Sequence, residues 1–118
     1  MMPEQHRQKA ERIERSLAKC SAEDFEAVIE GAMLAGTHWL NAALHAIGFT
    51  APDRDVLHAQ YLAGNDRLKL SLLRPDLLAA IDAIECARAR FVRGDMPGGR
   101  DAARQCREQL AVLRRAGA

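Results

Sequence analysis

Five polar residues, Glu30, Thr37, His38, Asn41 and His45, fall in one strongly apolar stretch and recur at multiples of a helical turn. Imidazole, carboxylate and amide groups on one face can relay protons, ligate a metal or satisfy one another at a helix seam. His38 and His45 stand seven residues apart, with Asn41 between them and Glu30 two turns before His38. Metal centres in helical bundles ordinarily draw on several carboxylates and an ExxH pair. No ExxH pair occurs here, so this spacing predicts no metal and no other cofactor.

A second polar group interrupts an apolar register further on. Leu77, Ile81, Ile84, Arg88 and Phe91 form one helical stripe, and Arg88 is its only charge. A guanidinium directed inward needs a partner. Glu30 is the residue expected to meet it, with Asp82 and Glu85 as local alternatives. An inward Arg can also grip a phosphate through two N–H groups. His58, one turn before Tyr61, is a weaker candidate for a site edge. Cys20, Cys86 and Cys106 lack CxxC spacing and have no His at helical spacing. They read as reduced helix residues of a cytoplasmic protein. Walker-type and GxGxxG loops are absent.

The elements that must carry these groups are helical. The chain has 118 residues, 48% of them apolar and only 4% aromatic. A core of Leu, Ile, Val, Ala and Met favours helices, and turn signals at strand spacing are missing. The first helix is expected from about Pro3 to Lys19, with Ala10, Ile13, Leu17 and Cys20 on its narrow apolar face. Ser21-Ala-Glu-Asp24 reads as a capping box opening a long helix that ends at Gly48. Apolar residues cover nearly all of that helix, so other helices or a second copy must bury it. Gly31, Ala32, Ala35 and Gly36 leave room there for another backbone. A short helix starts at Thr50-Ala-Pro52 and breaks at Gly64-Asn65-Asp66, with a further turn or two over Arg67–Leu73. A longer helix spans Pro75 to about Arg93, and the last spans Arg100 to Arg115. The expected architecture is one domain over residues 1–118: an all-α, antiparallel up-and-down bundle of four main helices plus the short broken one.

The formal net charge of +1 hides an uneven distribution. Residues 1–60 hold 6 basic and 9 acidic side chains, and residues 61–118 hold 11 and 7. Arginines gather in the second half, interleaved with acids, as on a solvated surface. The polar, charged start is no signal peptide. The most apolar run holds Glu30 and two histidines, so it reads as a core helix and not a membrane span.

The pattern resembles the HEPN family of small helical bundles. The resemblance is carried by Ser21-Ala-Glu-Asp-Phe-Glu-Ala-Val-Ile-Glu30, by Gly36-Thr-His-Trp-Leu-Asn-Ala-Ala-Leu44 and by Arg88-Ala-Arg-Phe-Val-Arg93, and spans roughly residues 20–115. It implies a helical bundle that dimerises, acting either as a ribonuclease or as partner of a nucleotidyltransferase. The family's ribonuclease motif is an Arg followed a few residues later by His near the end of a late helix. Arg88 matches the Arg, but Arg93 stands where the His is expected, and no histidine follows His58. The motif's acid–base group is therefore missing. The expectation is a non-catalytic, homodimeric interaction protein. The alternative is RNA or nucleotide binding through Arg88 and the Glu30, His38 and His45 stripe.

Overall fold

A computed structural model describes residues 1–58 and 62–118. Helices are the only regular elements among the described residues: α1 (Pro3–Leu17), α2 (Phe25–Ala46), α3 (Gly64–Leu73), α4 (Pro75–Ala87) and α5 (Gly99–Gly117). The central element is α2, which packs against α1, α4 and α5. Most of its apolar surface is buried there: Val28, Ile29, Ala32, Met33, Trp39, Leu40 and Leu44 are all at most 3% exposed, while Leu34 stays 57% exposed. At the middle of α2, a side chain at Gly36 would put a Cβ 2.9 Å from Leu113 Cδ1. The small residues of α2 thus admit side chains of neighbouring helices, Leu17 at Gly31 and Leu113 at Gly36, rather than another backbone. None of the helices is long and apolar enough to cross a membrane, among the described residues.

Three boundaries depart from the sequence reading, each for a local reason. First, α2 begins at Phe25 and not at Ser21. Asp24 Oδ2 accepts from Ser21 N (2.8 Å) and Ser21 Oγ (3.1 Å), while Ser21 Oγ accepts from Glu23 N (3.2 Å). The capping residues close a turn on themselves ahead of the helix instead of capping it. Second, no helix starts at Thr50-Ala-Pro52. Residues 51–58 run as turns and irregular chain, because the Val56 backbone bonds to a side chain of α2 in place of a helical ladder. Third, Gly64-Asn65-Asp66 does not break a helix but opens α3, with Asp66 placed in its first turn where an acid is favourable.

The helix predicted from Pro75 to Arg93 is regular only to Ala87. Arg88–Arg93 continue it as a wider, π-helical turn, a form that recurs at functional positions. Gly98 then adopts φ +100°, a left-handed conformation that favours glycine, and directs the chain into α5. Two polar bridges at the edge of the core meet on one side chain of α1. Trp39 Nε1 donates to Glu14 Oε2 (2.7 Å), and Arg114 Nη1 donates to Glu14 Oε1 (2.5 Å). One carboxylate thus ties α1, α2 and α5 together.

Candidate functional site

The polar stripe of α2 splits between two neighbourhoods. Glu30, near the start of α2, accepts from Arg88 Nε at 2.7 Å. The expected pairing is therefore present, and Arg88 Nη1 also lies 3.8 Å from Glu85 Oε1. The hydrogen bond to Glu30 raises the Arg88 pKa above its ordinary value, and partial burial opposes the rise. Asp82, the other local alternative, pairs with Arg67. His58 Nδ1 stands 3.7 Å from Glu85 Oε2, so His58 belongs to this acid–base edge. Its expected neighbour Tyr61 lies outside the described residues. Arg93 is exposed on the π-helical turn.

His38, Asn41 and His45 lead elsewhere. Asn41 is 1% exposed and fully bonded. Its Nδ2 donates to Val56 O (2.7 Å) and Thr37 O (2.9 Å), and its Oδ1 accepts from Val56 N (2.7 Å). This clamp fixes the chain after α2 and brings Asp55 over the end of the helix. Asp55 Oδ1 lies 2.9 Å from His45 Nε2 and 3.0 Å from His6 Nε2. The Met1 amine is 3.2 Å from the same oxygen. His6 Nδ1 stands 2.9 Å from His38 Nδ1, and His45 Nδ1 stands 2.6 Å from Thr50 Oγ1. Three imidazoles and one carboxylate are thus connected through α1, α2 and the 47–58 segment.

One placement of protons satisfies every contact in this network except that of His45 Nδ1 with Thr50 O (3.3 Å), where two acceptors face each other. Asp55 accepts from Nε2–H of both His6 and His45. The His6 Nδ1 lone pair then accepts from His38 Nδ1–H, and the His45 Nδ1 lone pair accepts from the Thr50 hydroxyl. All three rings are neutral in that arrangement. Burial works against ionising Asp55, but the hydrogen bonds from His45 and His6 outweigh it and hold the carboxyl down at about 2. Burial lowers the pKa of His6, against the pull of Asp55. Burial, then the neighbouring His6, lowers that of His38.

These shifts set a pH dependence. His6 and His38 bind protons more readily unfolded, so the protein loses stability as pH falls through about 6.5, the ordinary histidine value. Asp55 acts lower. Its contribution is complete above its ordinary 3.8 and disappears as pH falls towards about 2. Urea midpoints are expected to fall from pH 7 to about pH 5 and to fall again below about pH 4. Asp55→Asn should flatten the second decline. A midpoint that is level from pH 7 to about pH 5 would contradict the lowered pKa values of His6 and His38.

The sequence reading found His38, Asn41 and His45 but missed His6 and Asp55. His6 was visible in principle: it precedes Ala10 by four residues and so extends the apolar register Ala10, Ile13, Leu17 of α1. Asp55 carried no local signal, since only the Asn41 clamp brings it inward.

A different surface is apolar and open. Leu68 and Leu72, one turn apart on α3, are 60% and 75% exposed, and Leu57 and Leu73 are similarly open. Comparison with family models, with characterised proteins and with solved structures gives no match to this chain.

Proposed function

We propose that this chain is a non-catalytic helical interaction protein that acts as a homodimer in the cytoplasm, in a HEPN-like mould lacking the family's acid–base histidine. In this reading α1, α2, α4 and α5 form an antiparallel up-and-down bundle, and the dimer seam lies outside it. The observation that carries the reading is the outer face of α3. Leu68 and Leu72 make an i, i+4 ridge of exposed apolar side chains, and helices pack such ridges into the grooves of a facing helix. A two-fold axis across this face sets the same ridge against itself and buries both copies. A nucleotidyltransferase is the partner class that the family resemblance suggests for the assembled dimer.

RNA or nucleotide binding through Arg88 is the weaker reading, because Glu30 already accepts from its guanidinium. Static light scattering at tens of micromolar, a rough concentration set by ordinary dimer affinities, is expected to give twice the chain mass of 13.0 kDa. A monomer at that concentration would remove the proposal. An RNA mobility shift at low salt, abolished in Arg88→Ala, would favour the alternative.

A further inference from the structure

We propose that His6, His45 and Asp55 bind a single divalent transition-metal ion, with zinc as the best match to the donor set. This inference is independent of the dimer. The spacing along α2 alone offered two imidazoles and one carboxylate, Glu30, which pairs with Arg88 instead. The fold brings His6 from α1 and Asp55 from the 47–58 segment to the end of α2, where ligand atoms of His6, His45 and Asp55 all lie within 4.8 Å of one another.

The geometry fits a small ion. Tetrahedral zinc holds nitrogen and oxygen ligands at about 2.0–2.1 Å, which places them about 3.3 Å from each other. The observed separations of Asp55 Oδ1 from His45 Nε2 and His6 Nε2 are 2.9 and 3.0 Å. Opening each by a few tenths of an ångström admits the ion. Two buried imidazoles and one carboxylate are a donor set of the kind that zinc, cobalt, nickel and copper take. Asp55 is 25% exposed, so the site has an aqueous side for a fourth ligand and an entry path.

The outer shell fits as well. A ligating imidazole is held in its tautomer by a hydrogen bond from its other nitrogen. His45 Nδ1 faces both Thr50 O (3.3 Å) and Thr50 Oγ1 (2.6 Å), either of which can accept its N–H. His6 Nδ1 faces His38 Nδ1, which accepts when His38 carries its proton on Nε2. Metal entry therefore moves one proton within each of the three rings, from Nε2 to Nδ1 in His6 and His45 and from Nδ1 to Nε2 in His38. It leaves the proton count of the three rings unchanged, and the Met1 amine, 3.2 Å from Asp55 Oδ1, must give way to the ion. The same scaffold satisfies both states. His38 thereby acts as a positioning residue for His6, and Thr50 for His45.

The test is calorimetric titration of ZnCl2 into the chelator-stripped full chain, freed of any affinity tag. One ion per chain is expected, and CoCl2 should give the intense visible d–d bands of a tetrahedral site. His45→Gln and Asp55→Asn should each weaken binding at least tenfold, while Thr50→Val, which spares all three ligands and keeps the carbonyl of residue 50 as an acceptor for His45 Nδ1–H, should weaken it severalfold but less than tenfold. Circular dichroism checks that each variant is folded. The cysteine variants Cys20→Ser and Cys86→Ser should bind as tightly as the parent. Absence of binding by zinc and cobalt in the folded parent overturns the proposal. Undiminished binding in folded His45→Gln or Asp55→Asn also overturns it.

Discussion

Asn41→Ala is expected to cost about 3–5 kcal/mol of stability, a large share of what a domain of this size has. The reason is the orphaning of backbone groups. Val56 is 8% exposed, and its N–H and C=O both end on the Asn41 amide at 2.7 Å. Truncation removes both partners at once, and each buried group left unpaired costs about 1–3 kcal/mol. The space left by the amide adds a cavity term. The defect should also spread. Asp55 immediately precedes Val56, so release of the clamp frees the carboxylate from His6 and His45. Urea denaturation should show the lowered midpoint, and hydrogen exchange at the Val56 amide should rise well before global unfolding. A loss below about 1 kcal/mol would mean that the segment keeps its place without Asn41.

Trp39→Ala should be of similar size, about 3–5 kcal/mol, because it empties the largest side chain of the core. Trp39→Phe separates two contributions. Phe keeps most of the apolar burial but cannot donate to Glu14, whose second oxygen still accepts from Arg114. That variant should lose about 1.5–3 kcal/mol, the range for a hydrogen bond to a charged group. The readout is the far-ultraviolet circular dichroism signal, since each substitution removes the protein's single tryptophan. Equal losses in the Ala and Phe variants would assign the effect to the Glu14 bridge and not to packing.

How much of this was legible follows from where each signal resides. Helix identity depends on local periodicity, and α2, α4 and α5 were visible in their apolar registers. The Glu30–Arg88 pair was readable because a charge in an apolar stripe demands a partner, and the chain offers few. Helix ends were less legible. Ser21 and Asp24 have capping chemistry, but they satisfy each other and leave α2 to begin at Phe25. Pro52 suggested a helix start, yet the decisive competitor was the Asn41 side chain on α2, fifteen residues before the Val56 backbone that it binds. The His–Asp cluster was half legible for the same reason. His38 and His45 share a face of one helix, whereas His6 and Asp55 join them only through tertiary packing. Nothing in the pattern of residues 50–56 announces that Asp55 turns inward.

The central claim is that the outer face of α3 joins two copies of the chain. Sedimentation velocity of the parent and of a Leu68→Glu/Leu72→Glu variant, both at about 50 micromolar, tests it most directly. The parent should sediment as a species of twice 13.0 kDa. The variant should sediment as a folded monomer, because two carboxylates facing their counterparts across a two-fold axis repel and remain solvated. A parent that is monomeric, or a variant that stays dimeric with an unchanged circular dichroism spectrum, would contradict the account.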